Sequence, residues 1–71
     1  MLEFAPAKLK ELRRARGLSR GEAAFAIGRS FDMYTRYEQG RNDPPAPVLG
    51  RLAEAFGCRV EDFFIEVESN G

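Results

Sequence analysis

Seventy-one residues with no histidine, a single cysteine and equal numbers of cationic and anionic side chains, eleven each, exclude several classes at once. A lone Cys58 without His can form no internal disulfide, no Cys–His nucleophile and no zinc cage. No apolar run reaches the length of a membrane span, and the first residues lack the order of a signal peptide. The expectation is a single domain over residues 1–71 in the cytoplasm, close to the lower size limit for a self-supporting core, with Cys58 as a small core residue.

The neutral total hides a division along the chain. Residues 1–41 carry nine Lys/Arg against five Asp/Glu, whereas residues 42–71 carry two against six. A duplex binder needs positive charge on the face that meets phosphates, not a basic total, and a one-sided surface would divide its charge in this way. Ordinary solvated charge is the competing explanation.

In chain order, Met1 to Ala5 is a short lead-in whose Leu2 and Phe4 can pack on the body. Pro6 suits the first turn of a helix, and AKLKELRRAR sets Leu9 and Leu12 on one stripe, continued by Ala15 or Arg16, before Gly17 ends it. The next stretch, SRGEAAFAIGRSFDMYTRYEQG, holds two short helix patterns around a glycine-bearing turn. Ser19 with Glu22 three residues on makes a capping box, so the second helix starts there and runs to about Ile27, and Gly28 supplies a left-handed stop. Ser30 caps a third helix that places Tyr34 and Tyr37 on one face and ends at Gly40. So short a turn forces a steep crossing, and Ala23 and Ala24 are small enough to allow it. This is the pattern of a helix-turn-helix.

RNDPPAP after Gly40 reads as an ordered turn. Pro47 then opens a fourth helix with Val48, Leu49, Leu52, Ala53 and Phe56 on its apolar face and Gly57 as its stop. Gly50 inside that helix either permits close contact with a neighbour or is a tolerated surface glycine. A last helix is expected from Val60 to Ile65, with one of Phe63 and Phe64 entering the core beside Phe56 and the other near the surface. FFIEVE is also able to pair as a strand between subunits. The domain core is expected over 6–65, with 66–71 a frayed acidic tail.

The ordered set LKELRRARGLS, EAAFAIG, Ser30, Tyr34, RYEQGR, a proline, LAEAFG and VEDFF over residues 8–64 resembles the phage repressor and Cro type of helix-turn-helix, also called the xenobiotic-response-element family. The resemblance implies an all-α fold of five helices, lambda-repressor-like, with helices 2 and 3 as the double-stranded-DNA-binding unit. It implies an ion pair between Arg13 and Glu38 that bridges the first and third helices, with Arg13 also near phosphate. Ser19 and Arg20 correspond to sugar-phosphate contacts at the start of helix 2, and Gln39, Arg41 and Asn42 to a second backbone clamp, with Asp43 weakening its charge. Most relatives have Gln at the position of Arg20, a residue that also buttresses a base-reading side chain.

Ser30, Phe31, Asp32 and Arg36 correspond to base-reading positions. Arg36 suits guanine. Phe31 fits either a thymine methyl or a core or partner contact, and Asp32 either accepts from cytosine N4 or stabilises the helix N-terminus. Tyr34 and Tyr37 are expected in the core with hydroxyls at the rim, within reach of phosphate, and Met33 as a space-filler.

One domain of this size spans too few base pairs to be selective alone, so the expectation is a homodimeric repressor on half-sites roughly 34 Å apart, with Leu49, Phe63, Phe64 and Ile65 as dimer contacts. A second class is a protein-interaction module, such as an antitoxin that binds a toxin, or an accessory subunit, keeping the fold with little DNA reading. An enzyme is the least supported class: the carboxylates are scattered, no glycine-rich phosphate loop exists, and nothing calls for a catalytic residue, cofactor or metal.

Overall fold

Local signals decide most of the elements. The computed structural model, which describes residues 1–68, contains four α-helices, a 3-10 turn and a two-stranded antiparallel sheet. Pro6 occupies the first turn of α1 (Pro6–Ala15), where its missing N–H would have no partner in any case. Serine caps begin α2 (Arg20–Ala26) and α3 (Phe31–Gln39), and left-handed glycines at Gly40 and Gly57 close α3 and α4 (Ala46–Phe56). At Gly40 the requirement is double. Its φ is +75°, and a Cβ there would lie 3.2 Å from Pro6 Cγ, so the start of α1 packs directly on the end of α3.

The core forms where the apolar faces of the helices meet. Leu9 from α1, Ile27 after α2, Tyr34 from α3, Val48 and Leu52 from α4, and Phe63 are all fully buried. Ala23 and Ala24 are buried as well, leaving room for α2 and α3 to cross closely. On α1 the inward stripe is Leu9, Leu12 and Arg13; Ala15 and Arg16 are exposed, contrary to the expected continuation, because the buried Arg13–Glu38 pair turns that side of the helix toward α3. Gly50 faces open space: a Cβ added there would meet nothing within 4 Å, which identifies it as a surface glycine.

The C-terminal segment departs from expectation. Instead of a fifth helix over Val60–Ile65, Val60–Phe63 makes a single 3-10 turn and β2 (Phe64–Glu66) follows it. β2 pairs antiparallel with β1 (Leu2–Phe4), with Leu2 opposite Glu66, Glu3 opposite Ile65 and Phe4 opposite Phe64. The pairing is within one chain rather than between subunits. Ala5 N–H donates to the Phe63 carbonyl at 2.8 Å and Val67 N–H to the Met1 carbonyl at 2.8 Å, so the ladder extends past both strands and Glu66 belongs to it rather than to a frayed tail. Residues 69–71 of the expected tail lie outside the described residues. Helix is disfavoured here because an extended Phe64 sets its ring edge-on against Phe4 at 6.1 Å, while Phe63 packs edge-on against Phe56 at 6.1 Å. Among the described residues no helix is long and apolar enough to cross a membrane.

Candidate nucleic-acid interface

Three polar arrangements fix α2 and α3. The first is the capping box: Glu22 N–H donates to Ser19 Oγ at 3.1 Å, and Ser19 N–H donates to the Glu22 carboxylate at 2.8 Å. The Ser19 donors hold the Glu22 carboxyl below its ordinary value of 4.5. The second is the cap of α3, where Met33 N–H donates to Ser30 Oγ at 3.1 Å. Between them Gly28, at φ +67°, turns the chain, and Arg51 of α4 donates to the Ile27 carbonyl at 3.3 Å behind that turn.

The third arrangement sets the pitch of α3. Arg13 is only 8% exposed, and its guanidinium donates from Nε to Glu38 at 2.6 Å, from Nη2 to Glu38 at 3.3 Å and from Nη1 to the Leu18 carbonyl at 2.7 Å. Tyr34, fully buried, donates its hydroxyl to the same Glu38 carboxylate. A planar fork on a carboxylate has little angular freedom, so α1, the α1–α2 link and α3 are locked in one geometry. Hydrogen bonding to Glu38 holds the Arg13 pKa above its ordinary range, and burial together with the Glu38 bond raises that of the Tyr34 phenol. These contacts correct two expectations: every guanidinium nitrogen of Arg13 has a protein partner, so it is not offered to phosphate, and the Tyr34 hydroxyl is enclosed rather than at the rim. Tyr37 is likewise buried.

Around this fixed frame the remaining positions are exposed: Ser19 and Arg20 at the start of α2, Ser30, Phe31, Asp32 and Arg36 on α3, and Gln39, Arg41 and Asn42 at its end. They are linked in a run. The Arg20 guanidinium carbon lies 5.2 Å from the Phe31 ring centroid; Asp32 bridges to Arg36 at 3.3 Å; and Arg41 N–H donates to the Arg36 carbonyl at 3.0 Å. Phe31 is 53% exposed, so it is not a core contact. Asp32 lies in the first turn of α3, where its charge favours the helix dipole, and its i,i+4 partner Arg36 partly neutralises it.

The expected dimer residues separate. Phe63 has no exposed surface and is a core residue, not a dimer contact, because the 3-10 turn points it at Phe56. Leu49 and Phe64 are half-buried and line a shallow depression with Leu2, Phe4 and Pro44 and the carboxylates Glu3 and Asp43, while Ile65 is exposed on β2. Cys58 is half-buried and free, with burial and nearby Asp62 raising its thiol pKa.

A family model described as a helix-turn-helix domain matches residues 7–63. This chain belongs to the helix-turn-helix domain family. The domain is similar to the HTH-type transcriptional regulator PuuR of Escherichia coli, 33% identical over 66 residues, covering 92% of this chain and 36% of PuuR. It is 36% identical over 64 residues to the HTH-type transcriptional regulator DdrOP3 of Deinococcus deserti, covering 90% of this chain and 50% of that protein. An uncharacterized HTH-type transcriptional regulator of Methanocaldococcus jannaschii, MJ0272, is 33% identical over 58 residues, covering 82% of this chain and 88% of its own length. The chain thus spans about a third of PuuR and half of DdrOP3. Among solved structures, the clp gene regulator ClgR of Corynebacterium glutamicum superposes with a TM-score of 0.77 at 28% identity, covering 82% of this chain and 62% of that one.

Some features of the helix-turn-helix domain carry no signal in the sequence. Arg51 reaches a backbone carbonyl 24 residues away, and no local pattern marks such a contact. Phe25, 79% exposed beside Ala26, Arg51 and Glu54, occupies a position where a helical apolar residue is ordinarily assigned to the core. Thr35 Oγ1 on α3 is buried with no hydrogen-bond partner among the described residues.

Proposed function

We propose that this helix-turn-helix domain binds double-stranded DNA sequence-specifically and regulates transcription, with α3 in the major groove, Arg36 facing base edges, and Arg20 and Arg41 at its two ends. One observation carries the reading: Phe31, Asp32 and Arg36 are exposed on α3, with Arg20 of α2 against Phe31 at one end and exposed Arg41 just past the other, and the angle of α3 is locked from behind by the Arg13–Glu38 pair. An exposed cationic strip on a rigid helix suits the groove, since phosphate contacts orient and base contacts discriminate. The similarity to proteins named as transcriptional regulators supports it. Two copies acting as a repressor on adjacent half-sites would supply the needed selectivity, with the depression at Leu2, Phe4, Leu49 and Phe64 as the face between them.

Selection of bound fragments from a random duplex library tests this directly. A palindromic motif is expected, with affinity falling steeply as salt rises. Arg36→Ala should relax one position of that motif by about 1–3 kcal/mol of discrimination. A second reading, a protein-interaction module, is favoured by the exposed Phe25 and by the carboxylate of Asp32 in the middle of the strip. It predicts weak retention on duplex at low salt and no enriched motif.

A further inference from the structure

The contact between Arg20 and Phe31 joins the first residue of α2 to the first residue of α3, and neither position belongs to the buried frame. A cation held over a ring uses the face of the guanidinium or its carbon and leaves the N–H edges free. Among the described residues the Arg20 N–H groups donate to no protein acceptor, whereas those of Arg13, Arg29 and Arg51 are held by Glu38 or by backbone carbonyls. Just over half of the Phe31 surface is also open, at the N-terminal end of α3. That end is where a recognition helix first meets base edges. An aromatic platform on the reading helix holds the guanidinium beside the base edges with its N–H groups directed outward.

We infer that Arg20 and Phe31 form one reading unit for a methyl-bearing pyrimidine next to guanine: Phe31 covers the pyrimidine 5-methyl and, by stacking, positions Arg20 to donate to guanine O6 and N7. This rests on the DNA-reading function proposed above. Arginine matches the two guanine acceptors in the major groove, and an apolar side chain matches the thymine methyl. Because the 5-methyl group is the feature read, 5-methylcytosine serves in place of thymine, while uracil and cytosine do not. Arg20 thereby becomes a base reader rather than a backbone contact, and Phe31 a positioning residue as well as a methyl contact.

The test is parallel selection from one random duplex library with wild type, Arg20→Ala, Phe31→Leu and Phe31→Tyr, followed by binding to the wild-type motif with single-base replacements. Both Arg20→Ala and Phe31→Leu should lose the same adjacent positions while the position read by Arg36 persists, and Phe31→Tyr, which keeps a ring, should restore them. Replacing the critical thymine by uracil should weaken wild type about fourfold, the equivalent of one buried methyl group. 5-Methylcytosine should restore the loss, and Phe31→Leu, which keeps an apolar contact but no ring, should respond less than wild type to both changes. The guanine should lose about tenfold in discrimination in Arg20→Ala. Arg20→Ala that weakens all sequences equally, lowers the salt slope by about one and is additive with Phe31→Leu would mark a plain phosphate contact and overturn the unit. A wild-type selection with no motif would instead overturn DNA reading itself.

Discussion

The α2–α3 unit and the terminal sheet are held by opposite means. In α2–α3 each boundary is set by local signals: Ser19 with Glu22, Ser30 with the Met33 amide, Gly28 and Gly40 as left-handed stops. In the sheet, residues 2–4 meet residues 64–66 from the far end of the chain, and the contact is an aromatic edge between Phe4 and Phe64. The first region is locked by an ion pair inside and exposes Phe25 and Phe31 among its polar residues; the second is closed by an aromatic edge and by the pairing of the N-terminal ammonium with Glu66. On the proposed reading the surface offered to a groove is the locally encoded one, while the long-range closure ties the two ends of the chain together and carries the depression proposed as the face between two copies.

Breaking the lock should have the largest effect. Glu38→Ala leaves Arg13 charged and nearly buried and strips the Tyr34 hydroxyl of its acceptor, so urea unfolding should show a loss of about 3 kcal/mol. In so small a domain that is a large share of total stability. Phe64→Ala in the sheet should cost less, about 2 kcal/mol, because its ring is only half-buried. Its monomer should still bind duplex, which separates closure from reading; equal losses in both would merge the two regions.

Smaller changes sharpen the contrast. Gly50→Ala, facing open space on α4, should raise stability by about 0.8 kcal/mol and the melting temperature by about 4 °C without touching DNA affinity. Asp32→Asn removes an exposed negative charge that pairs Arg36 and would face the groove in the proposed complex, so duplex affinity should rise about threefold with stability changed by no more than about 0.5 kcal/mol. The least effect is the acid limit of the α2 cap. The Glu22 carboxyl is held below its ordinary value, so its contribution is present above pH 4.5 and lost as pH falls through the folded value. The difference in melting temperature between wild type and Glu22→Gln should therefore vanish in acid.

What was legible follows the same division. Caps, glycine stops and the proline starts of α1 and α4 act within one turn, and the sequence announces them. The β1–β2 pairing does not announce itself: VEDFFIE carries helix-compatible residues, and only the distant Phe4 makes extension the better packing. The enclosure of the Tyr34 hydroxyl and the use of every Arg13 nitrogen depend on how α1 meets α3, which spacing alone does not define. The Arg20–Phe31 contact depends on the angle between two helices, and which of Phe63 and Phe64 enters the core beside Phe56 is decided by the 3-10 turn, which sends Phe63 inward and removes it from the expected dimer contacts.

The side chains of Phe31, Asp32 and Arg36 stand outside the frame that Tyr34, Tyr37 and Glu38 complete on the other face of the same helix. The fold and its message are therefore written on separate halves of one nine-residue segment. If this face reads bases as proposed, exchanging the outward three should reprogram the preferred site while the scaffold beneath does not register the edit.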